Sequence, residues 1–245
     1  MTAKKERIDV LLVERGLVES RTRARAIVLA GKVFSGDRRL DKAGHRISTE
    51  APLEVRGRDH PYVSRGGVKL ERAMADLAQD PAGWVVADFG ASTGGFTDCL
   101  LQQGATRVYA IDVGYGQLAH RLRQDPRVIV MERTNARHLE ASSLPEPVDA
   151  VVIDASFISI TKLMPAAHAV LRPGGRLLGM VKPQFEVGRF ASDRGVVKDP
   201  TVRSQAIEDA IAAAVSLGFV LRGRCDSRLA GPQGNVEAFV WLERS

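Results

Sequence analysis

From residue 84 onward, apolar runs of strand length alternate with longer stretches of helical periodicity, and few folds can absorb that rhythm. The strand-length runs fall at 84–87, 108–111, 128–131, 150–153 and 176–181, and the helical stretches at about 95–103, 117–123, 160–171 and 201–217. A helix between successive strands is the crossover that parallel pairing requires, so the expectation is an α/β, doubly wound, mostly parallel sheet with helices on both faces. Two further strands, 220–225 and 236–242, follow the last helix with Gly231-Pro232-Gln233-Gly234 as the turn between them. They bring the count to seven and end the sheet on an antiparallel hairpin.

The first quarter of the chain reads differently. Residues 7–15 carry Ile8, Leu11 and Leu12 at helical spacing before Gly16, and Ser20 caps a second helix over 21–30 that turns Ala24, Ile27 and Val28 inward before Gly31. Short strands are expected at 32–34, 39–40 and 52–55, which makes a small α+β domain. Pro61, in the polar stretch 56–63, biases the chain toward extension. The resulting division is a domain over 1–60, a linker over 61–67 and a second domain over 68–245. Residues 1–60 hold 14 Lys+Arg against 9 Asp+Glu, whereas the remainder holds 21 against 20. Nearly all of the net charge of +6 therefore sits in the small domain, the footprint of a nucleic-acid-binding segment. Arg21, Arg23 and Arg25 crowd the first turns of the second helix, where cations oppose the helix dipole. Phosphates as neighbours would explain that placement. Two basic helices with a few strands, Ser20-Arg21 opening the second helix and Gly31-Lys32-Val33 after it, resemble the alpha-L RNA-binding domain over roughly residues 5–57. The resemblance implies RNA contact by Arg7, Arg21, Arg23, Arg25 and Lys32.

Several classes are set aside by composition. The longest apolar runs, such as 150–153 and 210–215, fall well short of the roughly 20 residues of a membrane-spanning helix, and no secretory leader is legible in Met-Thr-Ala-Lys-Lys-Glu, so a cytoplasmic protein is expected. Cys99 and Cys225 offer neither a disulfide framework nor a zinc-ligand spacing, and no metal is expected.

Asp88-Phe89-Gly90-Ala91-Ser92-Thr93-Gly94-Gly95-Phe96 leaves the first strand of the large domain and enters a helix. Glycines there let backbone approach a ligand closely, and a carboxylate just before them binds an amino group or a hydroxyl. The stretch resembles the first motif of S-adenosylmethionine-dependent methyltransferases, whose sheet also ends on an antiparallel hairpin. Asp112 ends the second strand 22 residues after Gly90, where nucleotide-binding folds place an acid on ribose hydroxyls. Asn135, beyond the third strand, suits either an adenine contact or a simple turn with Thr134. Asp154 closes the fourth strand at the ligand-binding end of the sheet. The residues after it, Ala155-Ser156-Phe157, lack the proline pair of exocyclic-amine methylation, and no cysteine stands there for carbon-5 methylation. Lys182 follows the fifth strand, Lys69 begins the helix preceding the first strand within Ser64-Arg65-Gly66-Gly67-Val68-Lys69-Leu70, and Glu237 opens the last strand.

Lys69, Asp154, Lys182 and Glu237 match the Lys-Asp-Lys-Glu set of FtsJ-like ribose 2'-O-methyltransferases. With Ser-Arg-Gly-Gly-x-Lys-Leu, the glycine loop and the alpha-L domain, the chain from about residue 5 to its end resembles the TlyA family of ribosomal RNA cytidine 2'-O-methyltransferases, also called haemolysin A. The resemblance implies a methyltransferase sheet, S-adenosylmethionine bound by Asp88, Gly90, Ser92, Gly94, Gly95, Phe96, Asp112, Asn135 and Asp154, and ribosomal RNA or a ribosomal subunit as partner, with no membrane and no obligatory protein partner. It extends the RNA-contacting set to Arg65 and to Arg189 and Arg194, with Lys198, in the segment 188–198. The chemistry implied is in-line transfer from a sulfonium to a ribose oxygen, and a lysine near its ordinary pKa of about 10.4 is mostly in the wrong protonation state to take the hydroxyl proton. Two lysines sharing a partly buried site ease that difficulty. The expected roles are Lys182 as proton acceptor or positioner of the 2'-oxygen, Lys69 as its electrostatic partner, and Asp154 and Glu237 as orienters. A pore-forming haemolysin is disfavoured by the missing membrane span, and a non-catalytic ribosome-assembly factor by the complete tetrad.

Overall fold

A computed structural model describes residues 4–18, 20–56, 60–187, 195–231 and 234–245. Two compact units divide the chain, residues 1–65 and 66–245.

In the first unit, β1 (Lys5–Arg7) pairs antiparallel with β4 (Arg46–Ser48), while β2 (Val33–Ser35) lies between β3 (Arg38–Arg39) and β5 (Glu54–Val55). Helices α1 (Ile8–Glu14) and α2 (Arg21–Leu29) seal a core of Ile8, Leu12, Ala24, Ile27, Val28, Val33 and Leu40. Ser20 caps α2 as its sequence promises, its hydroxyl accepting the Arg23 N–H at 3.2 Å. The first helix starts at Ile8 and not at Arg7, because Arg7 belongs to β1. Strands β1 and β4 are three residues each, too short for an alternating pattern to register in the sequence.

The second unit holds a seven-stranded sheet in the order β11-β12-β10-β9-β6-β7-β8. Its parallel part is β6 (Val85–Phe89), β7 (Arg107–Ile111), β8 (Val128–Met131), β9 (Val148–Ile153) and β10 (Leu171–Val181); β12 (Ala238–Arg244) pairs antiparallel with β10 and with β11 (Phe219–Asp226). Burial on both faces explains the continuous apolar runs of the central strands, as in Ala150 to Ile153, all sealed. Edge strand β11 is mostly exposed and carries Arg222 and Arg224, which discourages pairing with another chain. The chain runs from β6 outward to β8 and then returns to β9 on the other side of β6. That reversal opens a crevice at the carboxyl ends of β6 and β9, the place where doubly wound sheets bind ligands.

Helix α3 (Arg65–Asp76) precedes β6 and starts within the stretch expected as linker, so Lys69 is its fifth residue rather than its first. Helices α4 (Gly95–Gln102), α6 (Met164–Val170) and α8 (Pro200–Ser216) supply the main layers, and α8 is capped by Asp199, which accepts the Thr201 N–H at 2.8 Å. The helix expected over 117–123 contracts to α5 (His120–Arg123). That expected over 160–171 breaks into a 3-10 turn at Ile160–Lys162 and α6, where Pro165 suits a helix start. A short helix, α7 (Pro183–Glu186), follows β10, and the last strand begins one residue after Glu237.

Candidate active site

The glycine loop sits at the end of β6. Asp88 is fully buried, and its Oδ2 accepts the Thr97 N–H at 3.0 Å and the Thr97 hydroxyl at 2.7 Å, while its Oδ1 has no partner. Burial pushes the Asp88 carboxyl up to about 7, against the pull of the Thr97 bonds, and the nearby Asp154 and Asp112 charges add to the rise. Gly90 takes φ +88°, and a Cβ there would lie 3.1 Å from the Asp154 carbonyl oxygen, so only glycine lets the loop close onto the end of β9. Asp112 gathers the loop from the other side, accepting the Ser92 N–H at 2.8 Å and the Gly114 N–H at 2.7 Å. Each of its oxygens keeps a further lone pair.

This geometry fits a nucleoside carrying an amino acid tail: an unpartnered buried carboxylate oxygen, a glycine cradle and a half-buried carboxylate beside it. Gly94 (φ +94°) and Gly95 lead from the cradle into α4. Phe96, expected at the cofactor, is instead buried and stacks on Phe239 with ring centroids 6.1 Å apart, so it supports the loop from within the core. The Asn135 side chain accepts the Arg137 N–H at 3.1 Å and caps the 3-10 turn Ala136–His138, which is the turn role its sequence position allows.

The four tetrad side chains form two ion pairs. Lys182 Nζ lies 2.6 Å from Asp154 Oδ1 and donates to the Ser156 hydroxyl at 3.0 Å. Lys69 pairs with Glu237 Oε2. Register explains the assembly: Val181 faces Ala238 across the β10–β12 pair, so Lys182 and Glu237 leave adjoining strands at one end, and Asp154 leaves β9 on the other side of β10. Lys69 reaches the site because it lies on the buried stripe of α3, with Leu70, Ala73 and Met74. Both lysines and Glu237 are under one-tenth exposed, which a charged group tolerates only when paired. A Cβ at Gly231 would come within 2.8 Å of Glu237 Oε1, so glycine is what gives that carboxylate room.

Several residues of this site carry no signal in the sequence. Ser156 is a second partner of Lys182, and Thr97 holds Asp88. Phe157 takes φ +67°, is 93% exposed and tilts against Phe185 at 5.6 Å. Glu186 accepts from the Ser159 hydroxyl at 2.5 Å and the Ile160 N–H at 2.9 Å, tying the segment after Lys182 to the segment after Asp154, and burial raises its pKa. Such contacts cross between distant segments, and no local spacing announces them.

In the first unit the arginines converge on a residue that no motif marks. Asp9, 0% exposed, accepts from Arg7 Nε at 2.8 Å and Nη2 at 3.0 Å, from Arg21 Nη2 at 3.2 Å and from Arg25 Nε at 3.2 Å. An internal carboxylate thus offsets part of the cost of placing cations at the start of α2. Arg23 is half-buried, as is Lys32; Arg65 is exposed, and so is Lys198 in the second unit. Arg189 and Arg194 lie outside the described residues. Among the described residues no cluster of His, Cys, Asp and Glu is suited to a metal ion, and no helix is long and apolar enough to cross a membrane.

Comparison with known proteins agrees with the geometry. Residues 62–244 match the FtsJ-like methyltransferase family and residues 6–52 match the S4 domain. The 16S/23S rRNA (cytidine-2'-O)-methyltransferase TlyA of Mycobacterium tuberculosis is 44% identical, over 98% of this chain and 90% of that protein. Hemolysin A of Brachyspira hyodysenteriae is 38% identical, over 94% and 97%. A solved structure from Streptococcus thermophilus, of a protein called a hemolysin, superposes with a TM-score of 0.80 at 41% identity, covering 98% of this chain and 89% of that one. An S-adenosylmethionine-dependent methyltransferase from Mesorhizobium loti, 14% identical with a TM-score of 0.52 over 70% of this chain and 95% of that one, shares the fold alone.

Proposed function

The chain belongs to the FtsJ-like methyltransferase family, and from that premise we propose that it methylates cytidine ribose 2'-hydroxyls of ribosomal RNA, with S-adenosylmethionine as the donor. The observation that carries this reading is the Lys182–Asp154 pair at the end of the sheet, held beside the glycine loop by the close approach of Gly90 to Asp154. When bound, S-adenosylmethionine supplies a methyl group already activated on a sulfonium.

The chain's own residues bring the oxygen to it. Asp112 takes the ribose hydroxyls of the donor, Asp88 Oδ1 takes its amino group, Gly90, Ser92, Gly94 and Gly95 shape the cradle, and Asn135 borders the adenine. Lys182 Nζ would orient the RNA 2'-oxygen and, once it has released a proton to solvent, accept the hydroxyl proton as the 2'-oxygen takes the methyl group and the carbon–sulfur bond breaks; the Asp154 carboxylate would balance the ammonium so regenerated. Ser156 fixes the direction of Lys182, and the Lys69–Glu237 pair keeps a second cation close without adding net charge. Proximity provides much of the acceleration, because the methyl group needs no further activation.

RNA affinity belongs, in this reading, to the first unit through Arg7, Arg21, Arg23, Arg25 and Lys32, with Arg65, Arg189 and Arg194 as further contacts. The protein works in the cytoplasm on ribosomal RNA or ribosomal subunits. The test is incubation with methyl-labelled S-adenosylmethionine and ribosomal RNA, followed by mapping of the label. Label on a cytidine 2'-oxygen, absent with Lys182→Ala, supports the proposal. Label on a base, or none, overturns it.

A further inference from the structure

Asp9 is an acid in the unit whose net charge is strongly positive, and it is the meeting point of the cations. It leaves the first turn of α1, and its carboxylate takes two N–H donors from Arg7, one from Arg21 and one from Arg25, so that β1, α1 and α2 contribute to one cluster. Each guanidinium has five donors in a planar fork. Asp9 therefore takes the Nε–Nη2 edge of Arg7, which fixes that plane, and tethers Arg21 and Arg25 by one N–H each, while the side chains of Arg7, Arg21 and Arg25 stay 36%, 53% and 60% exposed. Three cations on one anion leave a surplus of positive charge whose donors are already gathered. A surface arginine loses rotamer freedom when it grips a phosphate, and one whose fork is already fixed or tethered has less to lose.

We propose that Asp9 is a positioning residue for RNA binding, gathering Arg7, Arg21 and Arg25 into a preformed receptor for backbone phosphate. This rests on the reading that the first unit binds ribosomal RNA. The hydrogen bond from Arg7, aided by those from Arg21 and Arg25, holds the Asp9 carboxyl well below the usual carboxylate range, so the organising charge persists at every working pH.

The test turns on a sign. Asp9→Asn in the full chain removes a negative charge from an RNA-binding surface, so a surface acting by net charge alone would bind a ribosomal RNA transcript more tightly and with a steeper salt dependence. A preformed receptor predicts the reverse: affinity falls severalfold, and the slope of log affinity against log salt becomes shallower by about 0.7 to 0.9 for each phosphate no longer gripped. Tighter or unchanged binding by a variant that melts like the parent would overturn the proposal. Should Asp9→Asn fail to fold, Arg25→Lys decides, since it keeps the charge at an exposed site but not the fork. Severalfold weaker binding supports the receptor, and parental binding overturns it. A parent chain that does not itself bind the transcript removes the RNA-binding reading and this proposal with it; a parent that binds while both variants match it removes the proposal alone.

Discussion

The two units each seal an aspartate from solvent, and the two carboxylates respond in opposite directions. Asp9 in the first unit lies close under the surface with guanidinium donors on both oxygens, and those cations lower its pKa. Asp88 in the second unit lies between β6 and α4, bonded only to Thr97 through one oxygen, and burial raises it to about 7. Loss of solvent exposure therefore does not fix the charge of an acid in this chain; its partners do. Asp9 is a permanent anion suited to organising cations, whereas Asp88 takes its full charge readily only when a cation arrives. Asp154 and Glu237 are each matched to one buried lysine.

The most severe way to break this contrast is to remove the matching cation of Asp154. Lys182→Ala should leave fold and cofactor affinity nearly intact and lower single-turnover methylation by about a hundredfold or more, the worth of acid–base catalysis and positioning together. A near-parental rate at saturating RNA would strip Lys182 of its role. A smaller effect is expected at Asp112, whose charge is met by backbone N–H groups rather than by a cation. Asp112→Asn keeps one acceptor and loses the charge assistance, which should weaken S-adenosylmethionine by about 1.5 kcal/mol or more, roughly tenfold. Calorimetry returning the parental affinity would show that Asp112 serves only the loop.

The sheet was legible because its strands are buried on both faces, and the hairpin because only strands follow residue 217 among the described elements. The tetrad was legible only through family resemblance: four residues spread from 69 to 237 share no local spacing, and Lys69 stands out solely as a cation on the apolar stripe of α3. Asp9 stayed hidden for a related reason. Its partner at position 25 is 16 residues away, and helical periodicity places an acid at position 9 without telling that the side chain folds under three arginines. Phe96 departs from expectation because a motif gives position along the chain and not the direction of the side chain, which here stacks in the core on Phe239. The contraction of α5 and the breakage before α6 are tertiary outcomes that local propensity does not reach.

Asp88 offers a sharper probe of the same comparison. If its Oδ1 receives the amino group of the donor, binding draws on the ionised carboxylate, and a group with a pKa of about 7 must release a proton first. Affinity for S-adenosylmethionine should then rise with pH below about 7, by up to about tenfold per unit, and level off above it. Asp88→Asn should flatten that profile and end the proton release seen when calorimetry is repeated in buffers of different ionisation enthalpy. A parental profile that is already flat would place the amino group elsewhere.

The smallest expected effect is on stability, and it sets the two aspartates against each other in one titration. For Asp9 the folded pKa is depressed, so the unfolded chain binds the proton first, and the stability Asp9 contributes is present above the unfolded pKa of about 3.9 and lost as pH falls below it. For Asp88 the folded pKa is raised, so its contribution is fully present below about 3.9 and is lost as pH rises through about 7. Acidification should thus narrow the stability gap between the parent and Asp9→Asn, while it moves the parent in the favourable direction relative to Asp88→Asn. Thermal melts of the three proteins across a pH series, followed by circular dichroism, read both signs at once. The Asp9 effect should be the weaker one, because its three cationic partners are between about one-third and two-thirds exposed and water screens much of their attraction. A gap between parent and Asp9→Asn that stays constant from neutral pH down past about 3.9 would mean that those guanidiniums do not favour the ionised carboxyl of Asp9, whether as charges or as hydrogen-bond donors.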